Sequence, residues 1–248
     1  LTIDGGTGGA VLFDNDSAVT VNDLTIANAA SVSVTGALIA NDLITTGNAY
    51  TVSLTGDGNN TFAQEVDFLN TGLVTIGDET ALDNFAFNGG LNFNTGAVGG
   101  AASNVAATIT ATGDANFGDG GVTLTDAGAS VTTTGNIIFG ENINGALDLT
   151  LDSGAAGTIA VAGITTVNNL VITNSGGAIF TGAVAATTDI TITDTTGTVS
   201  FLDAVTANDL VTTATAYLVS MTGTGNTFAT NVDFLNTGDV TLGNATAD

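Results

Sequence analysis

Residues 40–56 read ANDLITTGNAYTVSLTG, and residues 207–223 read ANDLVTTATAYLVSMTG. The two stretches are offset by 167, and 12 of the 17 positions are identical. One residue is then lost from the spacing, after which 61–77 (TFAQEVDFLNTGLVTIG) matches 227–243 (TFATNVDFLNTGDVTLG) at 13 of 17. Upstream, GGAVLF at 8–13 lines up with GGAIF at 176–180. The 248 residues therefore read as one continuous unit, 1–248, holding about one and a half copies of a repeat of 167.

A finer period runs inside the long one. A Gly followed by alternating apolar residues and a large apolar anchor recurs at Phe13, Val34, Leu54 and Ile76, then near Val98. It continues at Phe117, Phe139, Val161, Phe180, Phe201, Met221 and Leu242. Successive anchors are separated by steps of 19 to 22, and 167 divided by 21 is close to eight. Each short repeat alternates apolar with Thr, Ser or Asn, as in Val32-Ser33-Val34 and Ile190-Thr191-Ile192, which places one set of side chains inside. Such a unit cannot bury its apolar face alone and does so by stacking. The expected fold is all-β: a right-handed parallel β-solenoid (β-helix) of about twelve coils of ~21 residues, eight per long repeat, with uncapped ends. At roughly 4.8 Å per coil the rod would be about 55–60 Å long. Tandem immunoglobulin-like sandwiches would repeat every ~100 residues and do not fit this phase.

Composition sets the chemistry. The chain has 24 Asp and Glu, a formal net charge of −24, and no Lys, Arg, His, Cys, Pro or Trp. Without Lys or Arg it has no means of neutralising phosphates, which excludes nucleic acid and anionic membrane surfaces as direct partners. Without His or Cys it has no base titrating near neutrality, no thiol nucleophile and no zinc–thiolate site. The lack of Pro suits a continuous ladder in which nearly every backbone N–H is used. No apolar run approaches the ~18–20 residues of a membrane span. The sequence opens on a strand-like Leu1-Thr2-Ile3-Asp4 and closes inside its own repeat. The expectation is a window on a longer solenoid, or a unit stacking end to end with copies of itself.

Carboxylates are the candidate ligands. Asp23, Asp42, Asp189 and Asp209 each precede an aliphatic residue, with Asn169 in the same phase, at spacings of 19 or 20. In a solenoid such residues stack one coil apart, where two carboxylates either raise a pKa or recruit a cation. Ca²⁺, which takes oxygen ligands, is the expected ion. The competing reading is that these Asp accept turn hydrogen bonds while sodium screens them. Asp14 with Asp16, Asp78 with Glu79, and Asp114 with Asp119 offer the same two readings. Asn22, Asn41, Asn70 and Asn236 sit at turns and suggest Asn ladders. Phe13, Phe117, Phe139, Phe180 and Phe201 read as an interior stack, and Tyr50 and Tyr217 as amphipathic core edges open to a glycan contact. Rows at Thr108, Thr110 and Thr112 and at Thr191 and Thr193 suggest an ice-binding face but do not recur in every coil. Of the polysaccharide-cleaving chemistries found on β-helices, only a two-carboxylate glycosidase remains possible without a basic side chain.

The Gly-x-Val-x-Phe phrase followed by aliphatic–Thr alternation resembles the β-strand-repeat regions of very large bacterial surface proteins, including filamentous-haemagglutinin-like and autotransporter-like adhesins. The resemblance spans essentially the whole chain and is one of rhythm and composition. It implies a secreted or cell-surface fibre, stalk or matrix element, non-enzymatic, requiring no cofactor beyond the expected Ca²⁺, and partnered by itself or by flanking repeats. An adhesin segment that binds glycans or surfaces is the alternative.

Overall fold

The structure, a computed structural model, describes residues 1–14, 18–78, 83–93, 101–230 and 232–243. The chain is all-β, and its parallel strands stack in about 11 turns of ~21 residues, a β-solenoid. Each turn lays down three segments, and each segment pairs with its counterpart one turn away. Parallel strands need a crossover between them; here the other two segments of the coil provide it.

Among the described residues, ladder A is an eleven-stranded sheet running from Ala10–Phe13 through Ser31–Gly36 and Thr51–Asp57 to Thr227–Phe228. Ladder B follows it in each turn, from the first half of Val19–Asn28 through Asn59–Phe62 and Asp83–Phe87 to Asp209–Thr212. Ladder C comes third, from Thr2–Asp4 through Leu91–Asn92 and Ile137–Phe139 to Val240–Leu242. Among the described residues, ladders B and C fuse into one twenty-stranded sheet because Val19–Asn28 and Leu38–Ile44 each run past the bend and serve both.

The two-residue alternation decides what fills the bore. In Ser31–Gly36, Val32 and Val34 are buried while Ser33 between them faces outward; in Ile159–Val161 the outer residues are buried and Ala160 is not. Ladder C carries an aromatic column: Phe68, Phe93, Phe117 and Phe139 stack with ring centroids 4.8, 5.7 and 4.6 Å apart. Val161 interrupts it, Phe180 and Phe201 resume it at 5.2 Å, and Met221 follows in register. These separations match the spacing of neighbouring strands, so the ladder itself imposes the stacking. Phe117, Phe139, Phe180 and Phe201 are thus interior as expected, and Phe13 is not part of their stack. Phe13 lies in ladder A opposite Val34 and is half-buried.

The same register corrects the coil count. Phe13, Val34, Leu54 and Ile76 belong to ladder A, whereas Phe117, Phe139, Val161, Phe180, Phe201, Met221 and Leu242 belong to ladder C. The partner of Leu54 one turn on is Ile76, but that of Ile76 is Val105, so the coil from 76 to 105 is well over the usual length. Placing an anchor near Val98 splits this long coil and slips the count from one ladder to another. Twelve evenly spaced anchors therefore correspond to about eleven turns. Val98 itself lies outside the described residues.

The long repeat slips by the same amount. Leu54 stands on the third rung of ladder A, and Val205–Ala207 is the tenth, seven turns later. Met221, the counterpart of Leu54, lies two ladders beyond that rung, in C. The offset of 167 is therefore seven and two-thirds turns rather than eight. The second copy of the repeat is laid down one face around from the first.

Candidate functional site

The repeated segment builds the same corner twice. The Tyr50 hydroxyl accepts from the Thr46 N–H at 2.7 Å and donates to the Ile26 carbonyl at 2.9 Å. The Tyr217 hydroxyl accepts from the Thr213 N–H and donates to the Ile192 carbonyl, both at 3.0 Å. Beside them the Thr45 hydroxyl accepts from the Leu69 N–H and donates to the Asp67 carbonyl, as Thr212 does with Leu235 and Asp233. Asn70 donates to the Tyr50 and Gly72 carbonyls, and Asn236 to those of Tyr217 and Gly238, all at 3.0 Å. Gly72 and Gly238 are required here, because a Cβ would run into the tyrosine carbonyl beneath it. Both tyrosines are at most 1% exposed, so the edge role holds and a direct glycan contact through either ring is closed. Asn70 and Asn236 are capping donors to backbone rather than members of an Asn ladder.

The acidic residues come together in pairs. Asp23 is the register partner of Asp42, and Asp189 that of Asp209. The first pair lies at the bend between ladders B and C and the second at the entry to ladder B, so the four do not converge. Asn22 and Asn41 donate to the two oxygens of Asp23 at 2.7 and 3.0 Å. Asn208 donates to Asp189 at 3.2 Å, and the Asp189 N–H donates to Asn169 at 3.2 Å. One coil earlier, Asn168 and Asn169 donate to Asp148 at 2.7 and 2.8 Å, and the side-chain amide oxygen of Asn168 accepts from the Thr187 and Thr188 hydroxyls. Side-chain amides thus occupy oxygens of Asp23, Asp148 and Asp189 that a cation would otherwise take, whereas the buried Oδ1 of Asp209 has no hydrogen-bond partner among the described residues.

Burial, and next the Asp23 charge, hold the Asp42 carboxyl above its ordinary value; the Leu43 N–H opposes them and Asp67 adds further repulsion. Asp42, Glu65 and Asp67 line a shallow surface cavity of about 110 Å³ together with Leu43, Ile44, Thr45 and Leu69. Among the described residues, no three Asp, Glu, His or Cys side chains gather in a way that could hold a metal ion. Asp14 accepts from Thr35, the Asp78 N–H donates to Asp83, and Asp114 accepts from the backbone and side chain of Asn136. Asp119 lies against Gly140. Asp16 and Glu79 lie outside the described residues.

One polar ladder has no counterpart in the sequence expectations. Asn116 donates to Asn92 at 3.3 Å, and Asn92 to Asp67 at 2.8 Å, along the outside of ladder C. Their separations of 24 and 25, set by the long coil, hid them from the shorter regular period. The outward column through Thr108 and Thr191 also contains Asn84, Ser130, Val171 and Val211, so it is mixed rather than a Thr row.

Among the described residues, a cavity of about 480 Å³ is lined by Met221, Phe228, Val232, Phe234 and Leu242 together with the 223–226 turn and Gly243. The chain matches no family model, no curated protein and no solved structure.

Proposed function

We propose that the chain is a non-enzymatic structural segment of an extracellular fibre or stalk, built of repeats like its own. The observation that carries this reading is the corner rebuilt bond for bond on a different face. A catalytic or ligand site depends on one fixed constellation in one cleft. This repeat instead maintains stacking geometry wherever it falls around the rod, which is what a length-giving element needs.

Other features support the same role. The rod is held by backbone ladders, an aromatic column and amide–carboxylate bonds, and uses no side-chain ion pair. Proteases that cut after Lys or Arg find no such residue. The uniform negative charge keeps neighbouring rods apart. Placement outside the cell and kinship with giant bacterial surface proteins rest on the resemblance of rhythm and composition. Calcium enters this reading as one counter-ion among others, near Asp23, Asp42, Asp189 and Asp209.

An antibody raised against the purified chain and applied to intact cells of the source organism tests the proposal. Labelling along surface filaments, seen by electron microscopy, is the expected result. Labelling confined to the interior of permeabilised cells overturns it.

A further inference from the structure

Two asparagines in the chain stand directly before a glycine, at Asn88-Gly89 and Asn144-Gly145. Such a pair carries its own chemistry, because a glycine nitrogen has no side chain beside it to hinder attack on the preceding amide carbon. In a folded chain the reaction also depends on how firmly the two groups are held, and the two sites are held differently.

Asn144 ends the two-residue strand Ile143–Asn144 of ladder A. These residues pair with Val122 and Thr123 on one side, and Ile143 pairs with Thr165 on the other. The next interior position belongs to Leu124 on one neighbouring rung and to Val167 on the other; here it falls to Gly145. The backbone leaves the ladder at this glycine, with φ at +122°, and a Cβ would stand 2.6 Å from the Leu124 carbonyl oxygen. Glycine is therefore required behind Asn144. The Asn144 side chain is exposed, and among the described residues neither its amide nor the Gly145 N–H makes a hydrogen bond.

Asn88-Gly89 is clamped by comparison. The Asn88 N–H donates to the Phe62 carbonyl at 2.8 Å, and the Asn88 carbonyl accepts from the Thr112 hydroxyl. The Gly90 N–H closes the turn onto the Phe87 carbonyl at 3.1 Å. Gly89 lies so close to the backbone of Gln64 and Glu65 that a Cβ would overlap it.

We propose that Asn144 is a site of spontaneous modification, deamidating through a cyclic imide with Gly145. The Gly145 nitrogen gives its proton to solvent and bonds to the Asn144 Cγ. The Cγ–Nδ2 bond breaks, and Nδ2 takes up a proton and leaves as ammonia. Water then opens the ring: at the side-chain carbonyl it gives aspartate, and at the main-chain carbonyl isoaspartate. One water is consumed, one ammonia is released, and nothing is oxidised or reduced. Either product places a carboxylate on the outer face of ladder A. Among the described residues, the eleven strands of that ladder otherwise hold one carboxylate, Asp57. The extra backbone carbon of isoaspartate falls after Asn144, where register pairing has already stopped, so both products keep the ladder. The inference goes beyond the fibre reading and does not depend on it. In a fibre that is not replaced, the converted fraction records age.

Peptide mass spectrometry of the folded chain, incubated in mildly alkaline buffer, tests it. Chymotrypsin suits the digestion, since the chain offers trypsin no site. The expected result is a gain of one dalton at Asn144, accumulating several-fold faster than at Asn88. In urea the two sites are expected to convert at equal rates. Asn144→Gln should abolish the gain at that position and, because the side chain is exposed and makes no bond, leave the melting temperature unchanged. Asn144 staying intact in the fold while the unfolded chain converts overturns the proposal, as does conversion of Asn88 in the fold at the rate of Asn144. A gain in that peptide that persists in Asn144→Gln overturns it too. None of these outcomes bears on where the chain resides, so the fibre reading stands or falls separately.

Discussion

Tyr50 and Tyr217 hold equivalent corners of the solenoid on adjacent faces: Tyr50 closes onto Ile26 in ladder C, and Tyr217 onto Ile192 in ladder B. The two bonds are nearly equal in length, 2.9 and 3.0 Å. The corner therefore depends on its own residues and on the coil beneath, and not on which ladder that coil belongs to.

Replacing either tyrosine by phenylalanine removes a buried hydroxyl together with both its bonds and leaves the Thr46 or Thr213 N–H without that acceptor. Each substitution is expected to cost about 1–3 kcal/mol. Urea denaturation of Tyr50→Phe and Tyr217→Phe should give losses of similar size. A large loss for one and none for the other would show that the faces are not equivalent.

Phe117 stands between Phe93 and Phe139, with rings on both sides and 1% exposure. Phe117→Ala removes the middle of the column and leaves a cavity, at an expected cost of about 3–5 kcal/mol. Phe13→Ala, at a half-buried position in ladder A, should cost clearly less. Denaturant midpoints of the two variants measure the contrast.

Asp42 sets a pH dependence whose sign is opposite to that of a salt-bridged carboxylate. Its folded-state pKa lies above the ordinary 3.8, so the fold disfavours the charged form. The penalty is fully present above the folded pKa and disappears as pH falls through that value toward the unfolded one. Mild acidification from neutrality should therefore stabilise the chain through this group. Asp42→Asn should raise the melting temperature at neutral pH, consistent with relief of a cross-strand like-charge contact of about 0.2–1 kcal/mol. It should also flatten that part of the pH profile, as thermal melts across the acidic range will show.

Salt should stabilise the chain through screening of its 24 like charges. Since Asn22 and Asn41 already serve Asp23, and Asn208 serves Asp189, EDTA at constant ionic strength is expected to leave the melting temperature unchanged. A drop on chelation, reversed by Ca²⁺ and not by Mg²⁺, would instead establish a calcium site at one of the acidic pairs.

Much of the architecture was legible because its cause is local. The alternation around Val32 and Val34 sets an inside and an outside, and the regular step from Val34 to Leu54 to Ile76 sets the coil. The period could not reveal which ladder an anchor such as Phe117 occupies, because nothing in an apolar residue separates one interior face from another. The single long coil between Ile76 and Val105 then shifted the phase unseen. The pairing of Asp23 with Asp42 and of Asp189 with Asp209 followed directly from spacing. What occupies their oxygens did not, since an amide at Asn22 or Asn41 reads the same in sequence whether it caps a turn or neutralises a neighbour.

A repeat of seven and two-thirds turns has a consequence for any longer array of its kind. A mark borne once per repeat would wind about the shaft like the stripe on a barber's pole and regain its starting side only after three repeats. A flat neighbour lying alongside would meet that mark at long intervals, while a sleeve wrapped around the shaft would meet it at every repeat.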